Sequence, residues 1–162
     1  MSAHFSYLQT MQESDLSWVF SVEQRAYDFP WSMKGFENSL EQGLNYLFYS
    51  IEGKALGYCC LLPVLDEAHI LNVCVAPEYQ GKGIARAALT AISDKLRERR
   101  FNIILLEVRE SNMPARQLYR QFGFTEDGVR KGYYRSSLWD EALMELVDAR
   151  EDAILMSYRL ND

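Results

Sequence analysis

Apolar and polar residues change their period several times along this chain, and each change marks an element. Phe5 to Leu8 reads as a short strand. Asp15 to Tyr27 then carries Leu16, Val19, Phe20 and Val22 at helical spacing, and Ser32 offers a cap for a second helix that follows Pro30 and runs to about Glu41. Three β-rich runs come next, Tyr46 to Ile51, Ala55 to Leu65 and Ala68 to Val75, the first two joined by Glu52-Gly53-Lys54, a turn suited to a hairpin. From Gly83 to Arg99 the helical period returns: Ile84, Ala87, Ala88, Ala91, Ile92 and Leu96 form one apolar stripe, with Arg86, Asp94, Lys95, Arg97 and Glu98 largely outside it. Phe101 to Val108 is a nearly continuous apolar strand, Pro114 to Phe122 a short helix, Gly123-Phe124 opens a strand toward Tyr134, and Ala153 to Leu160 reads as the last strand. The pattern predicts an α/β (α+β) protein with a mixed sheet and helices on both sides.

No internal repeat or linker rich in Gly, Ser and Pro interrupts the pattern, so a single domain over residues 1–162 is expected. A composition 48% hydrophobic and 25% charged is that of an ordinary globular protein. Met1 to Thr10 lacks the basic region and apolar run of a leader, and no stretch approaches the ~18 apolar residues of a membrane span, so a cytoplasmic protein without membrane contact is expected. The net charge of −6 argues against direct nucleic-acid binding and suits a basic partner or substrate. Cys59 and Cys60 are strand neighbours pointing to opposite faces, which leaves only Cys74 as a partner for either; three small core thiols are expected rather than a disulfide framework. His4 and His69 provide no zinc spacing, and no metal is expected.

The most informative segment is Val73 to Arg86, where a strand ends, a glycine-containing loop follows and a long helix begins at once. That arrangement aims several backbone N–H groups and the positive end of the helix at one point, and glycine lets the backbone come close to a bulky phosphate. An anion site and an ordinary strand-to-helix turn both fit. Lys82 is followed by Gly83 and Ile84 rather than by Ser or Thr, which removes a P-loop, and the three-glycine spacing of a dinucleotide fold is missing.

Gln80, Gly83 and Ala85 meet the Gln/Arg-x-x-Gly-x-Gly/Ala pattern, which resembles the coenzyme A motif of the GNAT acetyltransferase superfamily. Glu23-Gln24-Arg25-Ala26, Phe29-Pro30-Trp31-Ser32, Leu65-Asp66-Glu67-Ala68, Leu106-Glu107-Val108-Arg109, Ser111-Asn112, Leu118-Tyr119, Gly123-Phe124, Tyr133-Tyr134 and Glu151-Asp152-Ala153-Ile154 resemble, in order, the RimI family of ribosomal-protein-alanine N-acetyltransferases. The resemblance implies a GNAT fold with a mostly antiparallel sheet. It also implies that the pantetheine arm of acetyl-coenzyme A, the cosubstrate, pairs with Val73, Cys74 and Val75. The pyrophosphate would lie on Gly81, Lys82, Gly83, Ile84, Ala85 and Arg86, and Asn112 would touch the same molecule.

Acetylating an amine requires a base, because a free α-amino group has a pKa near ~8 and is mostly protonated at neutral pH; the departing thiolate in turn benefits from an acid. Glu107 lies in Ile103-Ile104-Leu105-Leu106-Glu107-Val108, which reads as a strand buried on both faces, where a charge is costly unless used or paired and burial would raise its pKa. The same run also suits a solvated strand end, since Arg109 and Glu110 follow. Tyr119 has the pKa of an acid for a thiolate, near ~10, but Ala115, Leu118, Tyr119 and Phe122 also make a core stripe in which an aromatic needs no further role. The resemblance assigns the proton acceptor to Glu107 and the proton donor to Tyr119. Trp31, Glu67, Tyr133 and Tyr134 fall in segments that could border the acceptor groove or simply pack.

Where that family usually has a short link, this chain carries Arg135 to Arg150. Leu138, Trp139, Ala142, Leu143, Leu146 and Val147 fall on one helical face and Asp140, Glu141, Glu145 and Asp148 mostly on the other, so a helical insertion at about 136–150 is expected, either covering the sheet or attracting a basic peptide to the acceptor groove. The implied function is acetylation of the N-terminal alanine of a small-subunit ribosomal protein, whose basic N-terminal segment is the partner. A GNAT for a polyamine or aminoglycoside, and a non-catalytic acyl-coenzyme A module, are the competing readings.

Overall fold

The computed structural model describes residues 4–161. Of the segment read as leader-free, Met1 to Ala3 lie outside the described residues. The chain packs as two compact units, one running to Ile104 and resuming at Arg159, the other spanning Leu105–Tyr158.

The first unit contains β1 (Tyr7–Thr10), α1 (Leu16–Ala26), α2 (Met33–Gln42), β2 (Leu44–Tyr49), β3 (Ala55–Val64), β4 (Glu67–Val75) and α3 (Ile84–Glu98). Ser32 caps α2, its hydroxyl accepting from the Gly35 N–H at 3.1 Å. Gly53, at φ 81°, turns β2 into β3. The four strands pair antiparallel in sequence order. β1 lies two residues beyond the stretch expected from composition, because its register is set across the sheet: Tyr7 faces Tyr49, and their rings stack at 5.3 Å.

Strand alternation then divides the side chains between two layers. Leu47, Tyr58, Cys60 and Cys74 join Val19 and Val22 of α1 and Phe36 of α2 in one buried cluster. Tyr46 and Cys59, out of phase with these, face the other way, and Lys95 of α3 stands over the Tyr46 ring. α3 buries Ile84, Ala88, Leu89, Ile92 and Leu96, close to the predicted stripe. All three cysteines are free and buried. Among the described residues no helix is long and apolar enough to cross a membrane.

The second unit holds most of β5 (Ile103–Arg109), with α4 (Met113–Phe122), β6 (Thr125–Asp140) and β7 (Glu145–Arg159). Phe122, Phe124 and Tyr158 form its aromatic centre. β6 and β7 are the arms of one long antiparallel hairpin. This corrects the helix expected at about 136–150: Leu138 faces Val147 and Trp139 faces Leu146 in a ladder that continues to Asp140 and Glu145. Met144 closes the turn at φ 55°, and the Asp140 carboxylate accepts from the Leu143 N–H at 3.0 Å. The two units together make the mixed α/β, mostly antiparallel composition that the sequence predicts.

Candidate functional site

β4 ends where the chain must both stay in the sheet and turn into α3. Its close approach to β3 needs Gly57, since a Cβ there would lie 2.2 Å from the Cys74 carbonyl oxygen. The Val73 carbonyl accepts the Tyr27 hydroxyl at 2.8 Å, and the Val75 carbonyl accepts the Gln80 side-chain amide at 2.9 Å. A short 3-10 turn, Pro77–Tyr79, leads to Gly81 and Gly83, both left-handed at φ 78° and 77°. Gly83 is the N-cap of α3 and brings no side chain to the N–H groups of its first turn. A Cβ at Gly81 or Gly83 would meet nothing within 4 Å, so the backbone from Gly81 to Ala85 borders open space, with the cationic Lys82 and Arg86 exposed beside it. First-turn amides, a positive helix end and two cations fit a diphosphate. Ile84 is buried and Ala85 partly so, which anchors the turn.

Behind this strand the structure places a buried carboxylate to which the sequence had suggested no role. Glu23 is 2% exposed. Its Oε1 accepts the Tyr58 hydroxyl at 2.6 Å and the Asn72 side-chain amide at 3.0 Å, while Oε2 accepts the Trp31 backbone N–H at 3.0 Å. Glu23 and Tyr27 sit one helical turn apart, so the end of α1 is fastened to neighbouring β4 residues, Asn72 and Val73, by two side chains of one face. Burial, with Cys74 and Glu23 adding to it, pushes the Tyr58 phenol far up and keeps it a donor. Burial likewise raises the Cys74 thiol to about 11, although the Tyr58 and Tyr27 hydroxyls pull the other way.

In the second unit β5 alternates: Leu106 and Val108 are buried, whereas Leu105, Glu107 and Arg109 are half-buried. The two-sided burial expected for Glu107 is therefore not found; its side chain is 28% exposed and pairs with the Arg130 guanidinium at 3.4 Å. The Tyr133 hydroxyl lies by Glu107, and its pKa is raised, first by burial and then by that carboxylate. Arg130 and Tyr133 lie three apart and would point to opposite faces of a regular strand. A bulge lets both reach one carboxylate: the register slips between Arg130 and Tyr134, Gly132 takes φ 59°, and Asp152 holds the bulge by accepting the Gly132 N–H at 2.9 Å and Lys131 Nζ at 3.1 Å. Arg130 lies over the Tyr133 ring at 4.7 Å, and Arg109 over the Tyr134 ring at 4.5 Å. The Tyr134 phenol is raised, first by burial and next by the Glu107 charge. Arg109 also pairs with Glu151 at 3.2 Å, and Glu151 accepts the Ser111 N–H at 2.7 Å.

Tyr119, on α4, is 7% exposed and packs on Phe124 with ring centroids 5.4 Å apart. Asn112 caps α4, its Oδ1 accepting the Ala115 N–H at 3.3 Å. The predicted residues thus fall into two sets. Val73, Cys74, Val75 and Gly81 to Arg86 belong to the first unit, and Glu107, Asn112 and Tyr119 to the second. Arg130 escaped the sequence reading, and Arg109 and Glu23 stood in it only as motif residues without a role, because each acts through partners elsewhere in the chain; the residues that a signal did reach are Tyr133 and Tyr134, placed here beside Glu107. Among the described residues no group of three His, Cys, Asp or Glu side chains could hold a metal ion.

Residues 7–124 match the acetyltransferase (GNAT) family. The chain is 38% identical over 152 residues, 93% of its length and 95% of the relative's, to the ribosomal protein bS18 alanine N-acetyltransferase of Escherichia coli K12. It is 35% identical over 131 residues, 80% of its length and 88% of the relative's, to the enzyme of that name from Haemophilus influenzae. The crystal structure of the ribosomal-protein-S18-alanine N-acetyltransferase from Escherichia coli superposes with a TM-score of 0.83 at 35% identity, covering 96% of this chain and 94% of that one. Ard1 from Thermoplasma volcanium, at 18% identity and a TM-score of 0.77 over 96% of this chain and 98% of that one, shares the fold.

Proposed function

Because the chain belongs to the acetyltransferase (GNAT) family, we propose that it transfers an acetyl group from acetyl-coenzyme A to the α-amino group of the N-terminal alanine of a small-subunit ribosomal protein. The observation that carries this reading is the likeness, 38% over 93% of the chain, to an enzyme named for that reaction. The place of action is then the cytoplasm, the partner is the basic N-terminal segment of the acceptor, with no direct nucleic-acid or membrane contact, and the whole chain works as one catalytic domain.

Acetyl-coenzyme A, when bound, supplies the acetyl group as an activated thioester. Gly81, Lys82, Gly83, Ile84, Ala85 and Arg86 would hold its diphosphate, the backbone of Val73, Cys74 and Val75 its pantetheine arm, and Asn112 would offer the amide nitrogen that the α4 cap leaves over. Glu107 takes the proton that the amine gives up as its nitrogen bonds to the carbonyl carbon. Arg130 and Tyr133 keep that carboxylate in place and oriented. Tyr119 gives its phenolic proton to the sulfur as the carbon–sulfur bond breaks.

The test is to offer acetyl-coenzyme A with a peptide beginning in alanine, a peptide with a blocked N-terminus and an internal lysine, and a free polyamine, and to locate the acetyl group by mass. Acetylation of the alanine α-amine is expected; transfer confined to lysine or polyamine overturns the acceptor assignment. Glu107→Gln and Tyr119→Phe should each slow turnover by about 10²–10⁴-fold while coenzyme A affinity stays within a few-fold. Wild-type turnover in either variant removes that residue from its role.

A further inference from the structure

The part of the hairpin beyond Tyr134 contributes nothing to the Glu107 cluster, yet it carries the most exposed apolar surface of the second unit. Leu138, Trp139, Leu143, Met144 and Leu146 are each 55–72% exposed. Register puts Trp139 directly opposite Leu146, so these two share one face of the two-stranded tip, and Leu143 and Met144 crown it. Single exposed apolar residues are ordinary, whereas Trp139 and Leu146 on one face, Leu143 and Met144 at the turn and Leu138 on the reverse face together mark a tip that another molecule grips. Within residues 136–149 there are four acidic side chains, Asp140, Glu141, Glu145 and Asp148, and no Lys or Arg. An apolar centre in an acidic rim suits a basic protein. A second copy would bring two such rims together, and an anionic membrane surface would repel one.

The tip also has a defined place relative to the chemistry of its own unit. Arg109 donates to the Arg135 carbonyl at 2.7 Å, so the hairpin is clamped where it leaves Tyr133 and Tyr134. From Tyr134 to Trp139 is five residues of strand, about 17 Å at ~3.4 Å per residue. An extended acceptor chain needs about five residues to cover the same distance.

We infer that the tip of the β6–β7 hairpin is a docking surface for the basic acceptor protein beyond its first few residues, which selects the acceptor by its body as well as by its N-terminal alanine. The inference rests on the proposed reaction for the acceptor's identity.

The experiment compares two acceptors, the full-length protein and a tripeptide with the same first residues, on three enzymes. These are the wild type, a triple variant Leu138→Ser, Trp139→Ser and Leu146→Ser, and a charge variant Glu141→Gln, Glu145→Gln and Asp148→Asn that leaves the turn-closing Asp140 intact. The triple variant should lose about tenfold or more in kcat/KM on the full-length protein, with the tripeptide unchanged. The charge variant should lose less and show a flatter salt dependence on the protein, because exposed charges are screened beyond about 10 Å at 0.1 M salt. Equal losses on both acceptors, or no loss on the protein, overturn the inference. Direct binding of the full-length protein is measured alongside. If the wild type acetylates neither acceptor, the proposed reaction fails; tighter binding of that protein by the wild type than by the triple variant then upholds the docking surface, and equal binding removes it. Self-association of the wild type that the triple variant abolishes, with unchanged acceptor binding, assigns the tip to a second copy and also overturns the inference.

Discussion

Replacing Glu23 tests whether a buried carboxylate holds the end of α1 to β4. Glu23→Ala removes the acceptor of three hydrogen bonds, from the Tyr58 hydroxyl, the Asn72 amide and the Trp31 N–H. Tyr58 is completely buried and cannot turn to water, while Asn72 and Trp31 are half-buried and can in part. A donor left unsatisfied in the interior costs about 1–3 kcal/mol. Taking the full penalty for Tyr58 and part of it for the other two gives a loss of about 2–5 kcal/mol, a sizeable share of the roughly 5–15 kcal/mol that holds an ordinary domain folded. Glu23→Gln separates the contributions. Its carbonyl oxygen can keep Tyr58 and Asn72 in the place of Oε1, but its NH₂ then faces the Trp31 N–H, donor against donor, and the loss falls to about 1–3 kcal/mol. Urea unfolding gives both numbers, and amide exchange at Trp31 should quicken in the Gln variant while exchange within β3 stays slow. An Ala variant within about 0.5 kcal/mol of the wild type, the range of an uninvolved surface change, would refute the argument, as would unchanged exchange at Trp31 in the Gln variant.

Gly132→Val puts a branched side chain at φ 59°; the left-handed backbone costs about 1–2 kcal/mol, and steady-state assay should show lower turnover as Arg130 and Tyr133 lose their common approach to Glu107. Burial raises the thiols of Cys59, of Cys60 to about 12 and of Cys74 to about 11, so at pH 8 a thiol reagent should label the native protein far more slowly than the denatured chain; equal rates would contradict the buried placement. Burial works to raise the Glu151 carboxyl, but hydrogen bonds from Ser111 and Arg109 outweigh it and hold the group below the ordinary range. Its contribution to stability is therefore full above the unfolded carboxylate pKa and is lost as the pH falls through the lowered folded value; Glu151→Gln should flatten the acid limb of a stability-against-pH curve, and an unchanged limb would remove the linkage.

What the sequence disclosed of the site follows how local each determinant is. The strand-to-helix turn at Gly81 to Arg86 was readable because one short stretch contains the strand end, the two left-handed glycines and the onset of the α3 stripe. Glu107 was readable as a charge in an apolar run, but not its surroundings: the run suggested enclosure on both sides, whereas one face of β5 is covered only in part and Arg130 supplies the compensating charge. Nothing near Arg130 in the chain points to Glu107. The convergence depends on a bulge whose anchor, Asp152, lies on the opposite arm of the hairpin. Glu23 was legible as a motif residue but not in its role, since its three donors come from the stretch before α2, from β3 and from β4, and a single Glu among helical apolar positions looks like a surface residue.

The hairpin tip shows why periodicity alone chose the wrong element. Positions 138, 139, 142, 143, 146 and 147 recur at the three- and four-residue steps of a helix face, but the same six are also mirror-symmetric about the midpoint of 142 and 143. A helix reads the repeat and a hairpin reads the mirror, and six apolar positions satisfy both. Two kinds of information break the tie. One is continuity: the arms extend a ladder already formed between Thr125 and Arg130 on β6 and Ala153 and Ser157 on β7, so pairing onward to Asp140 and Glu145 adds hydrogen bonds without a new nucleus. The other is the turn, where Asp140 accepts from Leu143 and Met144 takes the left-handed conformation. The choice also decides exposure. A helix with that pattern would have turned Leu138, Trp139 and Leu146 toward a sheet, whereas the two-stranded tip leaves them outside, beside the acidic side chains that would receive a basic acceptor.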